Sequence, residues 1–144
     1  MIRAVLDINV MVSALILSRG IPYTIWLAWQ AQQFELISSD GILIELQEKL
    51  ELPKISERYA ISPQDISAIL NLLRSQARLI QVPISEQRPV TIDPEDNLVL
   101  ATGRLAQAEY LVTGDRGLLD LVEYEGMKIV SPREFVELLR SPAP

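Results

Sequence analysis

The chain of 144 residues contains no cysteine and no histidine. The lack of cysteine excludes a disulfide framework and a zinc site with thiolate ligands. The lack of histidine excludes a Ser-His-Asp triad and the usual imidazole general base. Any acid–base chemistry must therefore use carboxylates, lysine, tyrosine or a metal-bound water. A chain without disulfides fits the reducing cytoplasm, which is the location that we expect.

Positive charge is in the minority, with 13 Lys and Arg residues against 19 Asp and Glu residues and a formal net charge of −6. This balance argues against nonspecific binding of nucleic acid by positive surface charge. It leaves room for a nucleic-acid enzyme, because acids that gather in one pocket can be neutralised by divalent cations.

No apolar run reaches the roughly 18 residues that a membrane span requires, so we expect no membrane partner. Arg3 and the apolar run 8–17 have some likeness to a signal peptide. Asp7 lies directly before that run, however, and no small-x-small cleavage site follows it. A buried strand followed by a helix fits these residues better.

The length and the 49% of hydrophobic residues predict a single domain over residues 1–144 with one core. Short apolar runs that are typical of buried strands alternate with helical patterns. The predicted strands are 2–6, 34–38, 79–84, 110–113 and 127–130. This alternation predicts an α/β protein whose sheet has four to five mostly parallel strands.

Helix boundaries follow from caps and prolines. Ser62 and Ser131 are each followed by proline, a pattern that predicts an N-cap with proline at the first helical position. The predicted helices are 8–17, 22–33, 42–52, one starting at 63, 98–108, 118–122 and 132–140. Residues 54–60 are predicted as a short helix or irregular segment, and residues 85–92 as a polar loop.

Acidic residues follow two of the predicted strands, Asp7 after the first and Asp115 after the fourth. Ligands of open α/β sheets bind in the crevice at the carboxyl ends of the strands. Each acid also has a purely structural explanation. Asp7 can cap a helix and Asp115 can occupy a turn. Asp93 can cap the next helix, with Asp96 at the capping-box position.

Glu45 lies at the edge of the apolar stripe of its predicted helix, whereas Glu48 points to nearly the opposite side. At about 100° per residue, the stripe consists of Ile42, Leu43, Leu46 and Leu50. Glu45 can therefore face a pocket at the sheet edge, and the alternative is an ordinary surface acid.

Four carboxylates that converge in a partly desolvated site must take up protons or bind a cation. The four candidates for catalysis and metal binding are Asp7, Glu45, Asp96 and Asp115. Ligand sets made only of oxygen favour Mg²⁺ or Mn²⁺. Such an ion can activate water for attack on a phosphodiester without histidine.

These motifs resemble one known family. Residues 7–10, Asp-Ile-Asn-Val, resemble the opening motif of PIN-domain ribonucleases, and residues 93–97 and 111–115 resemble its second half. The likeness is closest to toxin components of toxin–antitoxin systems, the VapC-like proteins. It implies a Rossmann-like α/β/α fold in three layers and Mg²⁺- or Mn²⁺-dependent cleavage of single-stranded RNA. It also implies a homodimer and a cognate antitoxin.

By the same resemblance, the four candidate carboxylates match the family's acidic quartet. The candidates for supporting those acids or contacting substrate are Asn9, Ser13, Asn97 and Thr113. Two positions depart from the family pattern. Gly117 stands where relatives commonly carry a further acid, which leaves open whether one or two metal ions bind. Asn97 stands where some relatives have aspartate.

Other functions fit the residues less well. A haloacid-dehalogenase-like phosphatase requires a second aspartate at position 9, where this chain has asparagine. A phosphoreceiver has a late lysine, as at Lys128, but requires an acid pair after the first strand. A non-catalytic PIN-like module that binds a protein partner remains the main alternative, because of Gly117 and the acidic pI. For an RNA backbone, the candidate contacts are Arg19, Arg104 and Arg116.

Overall fold

The computed structural model describes residues 1–141 and consists of alternating strands and helices. The six strands are β1 Arg3–Leu6, β2 Glu35–Ser39, β3 Arg78–Ile80, β4 Tyr110–Val112, β5 Glu123–Tyr124 and β6 Met127–Val130. The eight helices are α1 Ile8–Ile16, α2 Ile21–Gln30, α3 Asp40–Glu51, α4 Pro53–Ser56, α5 Pro63–Gln76, α6 Pro94–Leu105, α7 Arg116–Leu119 and α8 Pro132–Arg140.

All strands join one sheet in the order β3-β2-β1-β4-β6-β5. Five strands are parallel, and only β5 is antiparallel to its neighbour β6. The chain builds the sheet outward from β1 in one direction and then returns to build it in the other. The strand order therefore reverses between β1 and β4, and this is the place where open α/β sheets bind ligands. The predicted α/β class with a mostly parallel sheet is confirmed.

The sheet has one strand more than predicted. Residues Glu123–Tyr124 pair with β6 through a two-residue connection, Glu125-Gly126, in which both residues have positive φ. Two such residues are typical of the tight hairpin turn that matches the twist of antiparallel strands. A strand of two residues is too short to produce an alternating pattern, so the sequence does not reveal it.

The seven predicted helices are present with shifted ends, and the segment 54–60, for which the sequence leaves a short helix or irregular structure open, begins within the short helix α4. Helix α6 begins at Pro94, directly after its N-cap Asp93, as the cap predicts, although the apolar pattern predicts helix only from residue 98. Helix α7 begins at Arg116 instead of 118, and a 3₁₀ turn, Ile84–Glu86, interrupts the predicted loop. Ser62 and Ser131 both form complete capping boxes, as their sequence patterns predict.

The core covers both central strands and fixes the sheet edge where they end. Val5 and Leu111 are completely buried. Phe135 of α8 is also completely buried and packs edge-on against Phe34 and Tyr110, with ring centroids 5.0 and 6.1 Å apart. Parallel strands buried on both faces are held in a fixed register. The residues that follow β1 and β4 are therefore positioned by the core.

Within residues 1–141, no single helix is long and apolar enough to cross a membrane. Helices α1 and α2 reach the necessary length and composition only as a pair, with a bend of 92° between them.

Candidate active site

Asp7 is the most deeply buried acid at this edge. It follows β1 with 5% of its surface exposed, and its Oδ2 accepts a hydrogen bond of 2.7 Å from the Thr113 hydroxyl. Burial raises the pKa of Asp7 above its usual value, and the charges of Asp115 and Glu95 add to the rise. The hydrogen bonds from Thr113 and from the backbone of Ile8 act in the opposite direction. Asp7 is thus held in place by hydrogen bonds, and no cationic side chain of residues 1–141 forms an ion pair with it.

Asp115 stands beside Asp7 because β4 is the neighbour of β1. Its backbone N–H donates to the Thr113 hydroxyl at 3.0 Å, so Thr113 connects both acids. Its carboxylate accepts from the Leu118 N–H at 2.9 Å and caps α7. The turn role and the site role that the sequence predicts for Asp115 are therefore compatible.

Asp96 enters the same edge from the first turn of α6. Burial raises its pKa to about 6, and the charges of Asp93, Asp7, Asp115 and Glu95 contribute in that order. These charges act on Asp96 because α6 brings its N-terminus up to the carboxyl ends of β1 and β4. Asp7, Asp96 and Asp115 are thus brought together, and we call them the sheet-side acids.

Glu45 occupies a separate part of the edge, on α3. Its pKa is raised, first by desolvation and then by a hydrogen-bonding contact with the Glu95 carboxyl and the charge of Glu48. The positive charge of Lys49 lowers it in part. In this structure Glu45 therefore meets Glu95 of α6, and the sheet-side acids are not among the groups that shift its pKa.

Two residues of this site were not predicted from the sequence, Glu95 and Lys49. The Lys49 Nζ lies 3.2 Å from Glu95 Oε2 and donates a hydrogen bond of 3.5 Å to Asn9 Oδ1. Lys49 is four residues after Glu45, so both side chains share one face of α3. That spacing is the signal by which Lys49 could have been found. Glu95 gave no such signal beyond its place in the acidic helix start.

The predicted supporting residues divide into two groups. Asn9 and Ser13 line a cavity of about 460 Å³ together with Asp7 and Asp115. The amide of Asn97 is used in a different way, as both of its polar atoms bind the backbone of Thr91 at 2.8 and 2.9 Å. Asn97 thus anchors the loop before α6 and supports Asp93 and Asp96 through the backbone.

Arg104 is not free to bind an RNA backbone. Its guanidinium donates to the carbonyl oxygen of Glu86 at 2.7 Å and to the Glu86 carboxylate at 3.0 Å, and its side chain is only 13% exposed. Arg19 and Arg116 are exposed, so their contact with an RNA backbone stays a prediction.

The acids at this edge suit a hard divalent cation, because every atom with which they could bind a metal is a carboxylate oxygen. The sheet-side acids form no ion pair with any residue of the described part of the chain. As the side chains are oriented, residues 1–141 contain no group of three or more acids close enough to hold a metal ion. Asp115 binds α7 and Asp7 binds Thr113, so a metal would have to draw these carboxylates together.

The fold and the edge define a parallel α/β protein with an acidic cleft at the point where its strand order reverses. The family model of the PIN domain matches residues 3–117. The chain belongs to the PIN domain family, as the resemblance of its motifs predicts. PIN domains are generally nucleases, so the chain is a member of a nuclease family.

A solved structure supports the same fold. A chain of VapBC2 from Rickettsia felis, bound to a DNA fragment from its promoter, matches with a TM-score of 0.60 and 18% identity. The match covers 90% of this chain and 98% of that one. A chain of FitAB bound to an IR36 DNA fragment matches with a TM-score of 0.48 and 18% identity, covering 90% and 94%. No curated protein matches the chain.

Thr113→Val tests the link between the two strand-end acids. The substitution keeps the shape of the buried side chain but removes the hydroxyl. The Asp7 carboxylate then loses its side-chain donor and keeps only the backbone of Ile8, and the Asp115 N–H loses its acceptor. We expect a loss of about 2–3 kcal/mol in the free energy of unfolding at pH 7. The loss should shrink at pH 4, where Asp7 is protonated more fully.

Urea denaturation at both pH values measures this effect. Thr24→Val is the matched control, because Thr24 is exposed and its hydroxyl binds only the carbonyl oxygen of Gly20. Equal losses in the two variants would show that Thr113 has no special relation to the acids.

Proposed function

We propose that the chain is a metal-dependent endoribonuclease that cleaves single-stranded RNA and acts as the toxin of a type II toxin–antitoxin pair. One observation carries this proposal. The sheet-side acids gather at the ligand-binding edge of a PIN domain with the pKa of Asp7 and Asp96 raised and with no cationic partner among the described residues. A bound cation would stabilise the ionised form of such closely placed acids.

In this function, Asp7, Asp96 and Asp115 would hold a Mg²⁺ or Mn²⁺ ion, and Glu45 would complete the acidic quartet from α3, beside Lys49. When bound, the ion supplies activation of water and neutralisation of the charge on the phosphodiester. Thr113 holds the Asp7 carboxylate in place, and Asn97 holds the start of α6 that carries Asp96. Asn9 and Ser13 line the cavity that the RNA strand enters.

The partners follow from the same proposal. The chain is expected to act in the cytoplasm as a homodimer and to be held inactive by a cognate antitoxin protein. Support comes from the VapBC2 match, which covers nearly the whole of both chains and belongs to a structure with promoter DNA.

Cleavage of a random pool of single-stranded RNA tests the activity whatever sequence the enzyme prefers. We expect fragments with 5′-phosphate and 3′-hydroxyl ends in the presence of Mn²⁺, and none after addition of EDTA. Ligation-based sequencing that requires these ends detects them. Fragments with 2′,3′-cyclic phosphate ends, or fragments that form equally well in EDTA, would contradict metal-dependent hydrolysis.

A non-catalytic module that binds a protein partner is the second candidate. It is favoured by the lack of a preformed group of three acids within residues 1–141 and by Gly117 in place of a further acid. This function predicts no cleavage of the pool and no binding of Mn²⁺. Cleavage of the RNA pool and binding of Mn²⁺, measured together, therefore separate the two candidate functions.

A further inference from the structure

Lys49 connects three elements at the acidic edge. It extends from α3 to Glu95 in the first turn of α6 and to Asn9 in the first turn of α1. Its ammonium group lies 3.2 Å from Glu95 Oε2, and both side chains are less than a third exposed. Within the described residues, it is the cation that forms an ion pair with an acid of this edge.

The charges of the edge are therefore divided unevenly. On the α3 side, Lys49 forms an ion pair with Glu95. Burial and the Glu95 carboxyl raise the pKa of Glu45, and the positive charge of Lys49 offsets part of this rise. On the sheet side, Asp7, Asp96 and Asp115 have no such partner in the described part of the chain. The α3 side therefore has a cation of its own, whereas the sheet side has none among the described residues.

A second divalent ion would have to use carboxylates of the α3 side. Lys49 already occupies that region with a fixed positive charge. A divalent cation within about 4 Å of an ammonium group is repelled strongly. Gly117 adds no carboxylate beside Asp115 that could bring a second ion to the opposite side.

We propose that Lys49 is a built-in cation of this site, which neutralises Glu95, offsets part of the negative charge near Glu45 and limits the site to one divalent ion on the sheet side. This inference rests on the proposed metal-dependent function. Lys49 is a positioning residue in this proposal, because it acts through Glu95 and Asn9. Its removal should open the α3 side to a second ion.

The number of Mn²⁺ ions bound per chain tests the proposal, measured at pH 7.5 by the electron paramagnetic resonance signal of free Mn²⁺. We expect one ion for the wild-type chain and two for Lys49→Met. Lys49→Arg keeps the positive charge and should bind one. Lys49→Gln is neutral but can still donate a hydrogen bond to Glu95, so it provides a second neutral variant if Lys49→Met does not fold. Lys54→Met, at an exposed lysine of α4, is the control and should bind one.

Two results would overturn the role of Lys49. They are two ions in the wild-type chain, or a single ion in both the wild-type chain and the folded neutral variants. Failure of the proposed function gives a different result, in which none of the variants binds Mn²⁺. That result would remove the metal site itself and the role of Lys49 with it.

Discussion

Asp96→Asn is expected to reduce RNA cleavage by at least about 1,000-fold while the protein without metal becomes more stable. The loss of activity follows from the removal of one metal ligand, since a bound ion contributes several kcal/mol to stabilising the transition state. The gain in stability follows from the removal of a charge that the folded state disfavours. A residue that merely capped α6 would not produce this combination.

The sign of the stability effect depends on the pKa of Asp96. Its value of about 6 in the folded protein lies above the ordinary value of 3.8, so the folded state binds more protons than the unfolded state between these values. Stability is therefore lost as the pH rises through this range, and ionised Asp96 opposes folding above pH 6. Because Asp96 is partly exposed, we expect a gain of only about 1–2 kcal/mol for the variant at pH 7.5. The gain should disappear near pH 4.

Urea denaturation without metal, at pH 7.5 and pH 4, measures this gain. Asp65→Asn is the matched control, because the capping hydrogen bonds of Ser62 lower the pKa of Asp65. Its ionised form stabilises the folded state, so this variant should lose stability at pH 7.5. A loss of stability in Asp96→Asn as well would show that Asp96 acts as a helix-start acid and is not repelled by its neighbours.

The affinity for Mn²⁺ is expected to fall by about 10- to 100-fold between pH 7 and pH 5. Protons compete with metal for the carboxylates, so each acid that titrates in this range contributes about tenfold. Asp96, with a pKa of about 6, supplies the first factor. The pKa of Asp7 is also raised, so protonation of Asp7 reduces the Mn²⁺ affinity further as the pH falls.

Isothermal titration with Mn²⁺ at pH 5, 6 and 7 measures this dependence. Thr113→Val should show a steeper fall than the wild-type chain, because the loss of the Thr113 hydroxyl raises the pKa of Asp7 further. An affinity that stays the same from pH 5 to pH 7 would mean that the metal ligands have ordinary pKa values. The sheet-side acids would then not be those ligands.

The sequence predicts the strand-end acids well because their positions depend on simple geometry. Strands that are parallel neighbours end at the same edge, so Asp7 and Asp115 meet once β1 and β4 are recognised. Asp96 follows from the cap at Asp93, which the structure confirms. The prediction that these residues bind metal and catalyse a reaction remains to be tested.

The contacts of Lys49 could not be predicted in the same way. They depend on how α3 crosses the start of α6, and helical periodicity shows which face a residue occupies but not which helix it meets. The same limit applies to Asn97, whose amide binds the loop at Thr91 and not the acids. Helix propensity and residue spacing do not show that Lys49 contacts Glu95 or that Asn97 contacts Thr91.

The most direct test of the metal site is the thermal stability of the wild-type chain and Asp96→Asn, each with and without millimolar Mn²⁺. A ligand that binds only the folded state raises the free energy of unfolding by about 2.7 kcal/mol at 100 times its Kd. If the acids form a cation site, the wild-type chain gains stability with Mn²⁺ and Asp96→Asn loses most of that gain. If neither protein responds, the acids serve only as caps and turns, and the binding of a protein partner becomes the better-supported function.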